Sequence, residues 1–225
     1  MDWLYSASDE KVIPGLCFVP VLWISGGKTY VEEAKLWQKE GDRRNELCRN
    51  ILHRFKQAGF KPSGVFFDAW TLELLDGWDW VYVARIKSNR YLNGAKLNDT
   101  TFYGGYSQTG KLRGLSHTVQ VVKHNHGYLV TNSKKPQYTK SLATLYKKRW
   151  CIEVLFRELK SVLHLEHCAA RSLNAQAKHI HACLQAYLIL QKHYPTLGAK
   201  TTQQQFIQKH DTRKTIPRLT LCYAA

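Results

Sequence analysis

Acidic side chains are scarce in this sequence: 17 Asp and Glu stand against 33 Lys and Arg, a formal charge of +16. A surface so short of carboxylates favours a polyanionic partner, and nucleic acid is the first candidate. Cysteine is also sparse in the sense that matters. The six present (Cys17, Cys48, Cys151, Cys168, Cys183, Cys222) have neither the regular spacing of a disulfide framework nor a Cys-x2-Cys pair. They are expected as reduced thiols of a cytoplasmic protein. Long hydrophobic runs are missing too. "VIPGLCFVPVLWI" (12–24) is too short and too interrupted by proline to cross a bilayer, so no membrane partner is expected. Asp9 and Glu10 before it, and the absence of an evident small-residue cleavage site, argue against a signal-peptide core. The run is expected as a buried strand. No internal repeat or low-complexity tract is present.

What the chain does have is the material of a packed globule. Its 225 residues are 44% hydrophobic and 12% aromatic, enough for one domain or one domain with an insertion. After Gly26-Gly27, "KTYVEEAKLW" reads as a strand returning beside the first, making a hairpin. From Asp42 to Ala58, Leu47, Ile51, Leu52 and Phe55 recur at helical spacing, Gly59 ends the helix, and Arg43, Arg44, Arg49 and Arg54 form its polar face. "GVFFDAW" is a short apolar strand that delivers a carboxylate, Asp68, to a sheet rim. A short helix "TLELL", an Asp76-Gly77 turn and a further strand in "WDWVYVARIK" follow. Between 88 and 137 Asn, Gly, Thr and Tyr abound, and "TVQVVK" and "YLVTN" flank "HNHG" as a hairpin would. From Lys140 to about His193 the pattern is helical, broken near "ARSLNAQ".

One stretch carries more than packing. In "YKKRWCIEVLFRELK" (146–160), Tyr146, Arg149, Glu153 and Lys160 fall within about 60° of one another at roughly 100° per residue. Ile152, Leu155, Phe156, Leu159, Val162 and Leu163 cluster elsewhere on the same helix, which is therefore docked on a core. A Glu one turn after an Arg is by itself an ordinary surface ion pair. Asp68 adds a second carboxylate, and Tyr146 and Lys160 add donors suited to phosphate oxygens. Together they point to a metal and DNA.

The spacing Tyr146-x2-Arg149-x3-Glu153-x6-Lys160 resembles the Tyr-Arg-Glu-Lys signature of bacterial insertion-sequence transposases of the DDE superfamily, in the subgroup with a β-rich insertion. The strand ending in Asp68, the strand ending "RIKSNR" and the β-rich stretch after it extend the resemblance. It implies a mixed α/β, ribonuclease H-like fold. Residues 1–87 would be the first part of the core, 88–137 the insertion, 138–193 the helical part carrying the stripe, and 194–225 a C-terminal extension. It also implies that Asp68 and Glu153 are catalytic and ligate Mg²⁺, with Mn²⁺ as a substitute, an ion suited to oxygen-only ligands. Tyr146, Arg149 and Lys160 would hold DNA phosphates, and transposon ends and target DNA would be partners of a homodimer in a synaptic complex.

The family pattern needs a first Asp on the central strand. Asp2, Asp9, Glu10, Glu32 and Glu33 are all unsuited to it by position. The expectation is a truncated transposase lacking its first strand, inactive or weakly active; the alternative is a non-catalytic basic DNA-binding remnant or inhibitor of full-length transposase. Two other readings compete. Glu158-Leu159-Lys160 resembles the acid-x-Lys pair of restriction-type nucleases, which requires a strand where the pattern here is helical. "HLEHC" (164–168) and "HIHAC" (179–183) hold candidate zinc ligands but read as helix without paired cysteines. Trp70 and Trp150 are assigned no role.

Overall fold

The computed structural model describes residues 2–6, 11–15, 17–25, 28–37, 44–68, 72–73, 75–102, 107–124, 127–135, 139–170 and 172–193. The chain forms two compact units, one of Met1–Leu22 with Glu32–Ile152 and one of Trp23–Val31 with Glu153–Ala225. The expected extension 194–225 lies outside the described residues.

Strands β1 (Asp2–Ser6) and β2 (Lys11–Gly15) pair antiparallel. Strands β3 (Cys17–Ser25) and β4 (Lys28–Trp37), on either side of Gly26-Gly27 in the sequence, form a second two-stranded sheet. The apolar run 12–24 lies partly in β2 and partly in β3. The expected burial is not found: side chains 19–25 are half-buried or exposed. A strand buried on both faces needs neighbours on both sides, and β3 hydrogen-bonds to β4 alone among the described strands.

Helix α1 (Arg44–Gln57) ends as its sequence requires. Gly59 adopts φ +80°, and the Phe60 N–H reaches back to the Phe55 carbonyl at 3.0 Å. The Phe55 and Phe60 rings then pack 5.3 Å apart, the apolar contact that accompanies this type of helix stop.

The main sheet has five strands in the order β5-β6-β11-β10-β9, formed by β5 (Val65–Asp68), β6 (Tyr82–Ile86), β9 (Gln108–Lys111), β10 (Thr118–His124) and β11 (Gly127–Thr131). Only β5 and β6 are parallel; β6, β11, β10 and β9 alternate in direction. The β10–β11 hairpin is the one flanking "HNHG", with His124 opposite Gly127. Two short strands, β7 (Tyr91–Leu92) and β8 (Ala95–Lys96), turn at Asn93-Gly94, both at positive φ, as tight hairpins prefer.

The period-2 alternation of a strand divides the core between the two faces of this sheet. Tyr82, Ala84, Ile86, Val119, Val121, Tyr128 and Val130 join one cluster with Leu72, Leu75 and Trp80, and Leu52 and Phe55 of α1 pack against it. Val83, Val122 and Leu129 face the other way, under Leu142, Ala143 and Tyr146 of helix α2 (Thr139–Tyr146), with Phe66 of β5 beside them. One of the buried polar residues, Gln120, is fully satisfied. It accepts from the Ser107 hydroxyl at 2.9 Å and donates to the Ser133 and Lys135 carbonyls at 2.5 and 2.8 Å.

The Asp76-Gly77 turn before β6 is anchored by its carboxylate. Asp76 accepts from the Ser116 N–H at 3.0 Å and the Ser116 hydroxyl at 2.9 Å, and lies 2.6 Å from His117 Nδ1. His117 Nε2 is 3.0 Å from the hydroxyl of fully buried Tyr82. Burial works to raise the Asp76 carboxyl, but the hydrogen bonds from Ser116 and His117 outweigh it and hold the carboxyl below its ordinary value.

The segment expected as one helix from 146 is interrupted. Helix α2 passes through a 3-10 turn at Lys147–Arg149 into α3 (Trp150–Ser161). Residues 162–170 and Ser172 are non-helical, and α4 spans Leu173–His193. No helix among the described residues is long and apolar enough to cross a membrane.

Candidate active site

Asp68 is the last residue of β5, and its backbone stands in register with Arg85 of β6. Its place at the carboxyl end of two parallel strands is where α/β sheets open to ligands. By alternation from Phe66, which packs under α2, the Asp68 position belongs to the same face of the sheet, in one row with Arg85, Leu129 and Val122.

Tyr146 closes α2 and is half-buried against Val83, Val122, Leu129 and Leu142. The 3-10 turn that follows has about three residues per turn, so side chains three apart eclipse instead of lying about 60° apart. The Arg149 guanidinium accordingly lies over the Tyr146 ring, 5.6 Å from its centre. These two residues of the signature are brought together by the departure from ideal helix.

Glu153 lies in the first turn of α3 and Lys160 in its last, each where the helix dipole favours its charge. Glu153 is half-buried. Lys160 pairs with Glu166 at 2.6 Å, both well exposed, an ion pair of little weight for stability. Asp68, Tyr146 and Arg149 belong to the first compact unit, Glu153 and Lys160 to the second. Glu158 is on α3 as well, so Glu158 and Lys160 are roughly 200° apart around a helix and do not form the strand pair of a restriction-type nuclease. Burial pushes the Glu158 carboxyl up to about 7 despite the nearby Arg157.

The histidine and cysteine segments differ from expectation. Residues 164–168 are not helical; His164 takes φ +52°, and its ring lies 5.1 Å from that of His167. Residues 179–183 do lie in α4, where His179 Nε2 is 3.2 Å from the Leu165 carbonyl and the Cys183 thiol donates to the Leu163 carbonyl at 3.5 Å. Burial first, and Cys168 second, push the Cys183 thiol up, which disfavours the thiolate that zinc requires. Among the described residues no group of three or more His, Cys, Asp or Glu is placed to hold a metal. The described cysteines Cys48, Cys151, Cys168 and Cys183 are free thiols.

Two cations to which the sequence analysis gave no role, Arg85 of "RIKSNR" and Lys148, lie on the face of the sheet to which the Asp68 position belongs. Arg85 is exposed within a strand whose other residues are buried. Lys148 lies over the Phe66 ring at 5.8 Å from its centre. The alternation of "YVARI" around a single charged residue was the available signal for Arg85. Trp150 is 59% exposed and fills no core.

The first compact unit is mixed α/β with Asp68 at the end of a strand, and the second carries Glu153 in the first turn of a helix. The comparison with known families is specific: residues 39–189 match the transposase DDE domain, and the chain belongs to that family, the DDE transposases of insertion sequences. Such transposases act on DNA and generally use divalent metal ions. The chain is also similar, at 38% identity over 116 residues, to a Synechocystis sp. (strain ATCC 27184 / PCC 6803 / Kazusa) protein named as a transposase for insertion sequence element IS4SA. The similarity covers 48% of this chain and 33% of that relative's length.

Proposed function

We propose that this chain carries the second and third carboxylates of a transposase, Asp68 and Glu153, on a ribonuclease H-like core whose β-rich part spans 88–137 and whose signature helices span 138–193. The observation that carries the reading is the family match over 39–189, which contains Asp68 at a strand end and the whole Tyr146, Arg149, Glu153, Lys160 pattern. Both candidate ligands offer oxygen only, which fits Mg²⁺, or Mn²⁺ in its place. Bound there, such ions would supply activation of the attacking hydroxyl and stabilisation of the leaving oxygen in phosphoryl transfer.

The chain's own residues bind and orient. Arg149, its guanidinium over the Tyr146 ring, binds a DNA phosphate, and Lys160 exchanges the exposed carboxylate of Glu166 for a phosphate oxygen. Transposon ends and target DNA are the substrates, held by two copies in a synaptic complex. The test is strand cleavage and transfer on transposon-end DNA in Mn²⁺. Activity that vanishes in Asp68→Asn and in Glu153→Gln supports the reading. Activity that survives both substitutions refutes it.

A further inference from the structure

We propose that one face of the β7–β8 hairpin and of the chain beside it, carrying Lys96, Tyr91, Arg113 and Lys111, grips the phosphate backbone of duplex DNA without regard to sequence. The surface adjoins β9, the edge of the main sheet opposite β5, on which Asp68 lies. It is separate from the candidate active site.

Register puts these residues on one face. Tyr91 of β7 stands opposite Lys96 of β8. On its other side β7 meets the end of β9: Leu92 is bridged to Leu112, the Asn93 N–H donates to the Lys111 carbonyl at 3.0 Å, and the Arg113 N–H donates to the Tyr91 carbonyl at 2.9 Å. Lys96, Tyr91 and Arg113 therefore form one row across three extended segments, with Lys111 two residues from Arg113 and roughly 7 Å away. Leu92 and Leu112, at the alternate positions, belong to the core, where Leu97 is also fully buried. The buried Tyr128 hydroxyl donates to the Leu97 carbonyl at 3.0 Å, so the hairpin is fastened from beneath.

The outward side is cationic and uncompensated. Lys96, Lys111 and Arg113 are exposed, and none is paired with a carboxylate among the described residues. Glu73, which a Cβ on Gly114 would approach to 3.5 Å, is already taken by Arg90 at 2.6 Å. Residues 88–137 hold seven Lys and Arg and a single acid, Asp99, so the charge complements a polyanion. The Arg113 guanidinium lies over the Tyr91 ring, 5.7 Å from its centre, a contact that restricts the side chain before a ligand arrives and lowers the entropy lost on binding. Cations spread over a flat face reach phosphates and read no base edges, which makes the grip independent of sequence. DNA is the polyanion on which this family acts.

The experiment measures the affinity of the full chain, without divalent metal, for two fluorescent duplexes, a transposon end and an unrelated sequence, across a salt series. Each phosphate contact contributes roughly 0.9 to the slope of log K against log salt. The double variant Lys111→Gln with Arg113→Gln is expected to lower that slope by about two on both duplexes, and Lys96→Gln to lower it by about one. A control that removes two exposed cations elsewhere, Lys61→Gln with Lys178→Gln, is expected to leave the slope unchanged. Thermal melts identify a variant that fails to fold; if the double variant does so, Lys96→Gln carries the comparison. An unchanged slope in the folded patch variants, an equal fall in the control, or a loss confined to the transposon-end duplex overturns the proposal. So does a larger loss with single-stranded RNA of the same length, which would make RNA the occupant. With no metal present, none of these outcomes bears on Asp68 and Glu153, whose reading is tested by cleavage.

Discussion

Replacing Glu158 by Gln should stabilise the protein at neutral pH and leave it unchanged in acid. Glu158 is half-buried on α3, and burial raises its carboxyl from an ordinary 4.5 to about 7 in the folded chain. The folded state then holds a proton that the unfolded state has released between about pH 4.5 and 7. Stability is greatest below the unfolded value, falls as pH rises through that window, and levels off above about 7. A tenfold change in proton affinity corresponds to about 1.4 kcal/mol, and solvent screening at a half-buried site reduces the total to the order of 1–3 kcal/mol. Glu158→Gln removes the ionisation at nearly constant volume. Urea melts of the two proteins at pH 4 and pH 8 should give matching midpoints at pH 4 and a more stable variant at pH 8. A variant destabilised to the same extent at both values would rule this out, because a loss that does not change with pH does not arise from the ionisation of Glu158.

Asp76→Asn keeps the size of the group that Ser116 and His117 hold and removes its charge; it should cost about 1–3 kcal/mol in denaturant melts at pH 7. Because the folded Asp76 carboxyl lies below its ordinary 3.8, that difference should shrink as pH falls below about 3.8. Gly59→Ala places a Cβ on a residue at φ +80° and should lower stability by about 1–2 kcal/mol without altering DNA affinity, read by melts and by titration with duplex DNA.

Local chemistry was legible in the sequence and long-range pairing was not. The stop of α1 at Gly59 and the hairpin around "HNHG" depend on residues adjacent in the chain, and the structure has both. Asp68 at the end of a short apolar strand was equally readable, because an apolar run that ends on a carboxylate must reach a rim. What no local pattern states is the parallel register of β5 against β6, and so which charged residue becomes Asp68's neighbour in the row. The run 12–24 reads as one strand because its hydrophobicity is continuous, while in the fold it contributes to two, β2 and β3, that belong to different sheets. Helical periodicity likewise runs through "HLEHC", although His164 leaves the right-handed region there. The 3-10 turn at Lys147–Arg149 is hidden for a different reason: i, i+3 spacing suits both helix types, and only the stacking of Arg149 on Tyr146 separates them.

If Asp68 and Glu153 serve one divalent metal site, as proposed, a double-mutant cycle of Mn²⁺ affinity in the presence of duplex DNA will show it. Wild type, Asp68→Asn, Glu153→Gln and the double variant would be titrated and followed by the Mn²⁺ paramagnetic resonance signal. Each single substitution is expected to weaken binding, and the double variant to bind about as weakly as either single one, the mark of two ligands acting together. Mn²⁺ affinity that is unchanged by either substitution, or losses that simply add, would contradict a shared site.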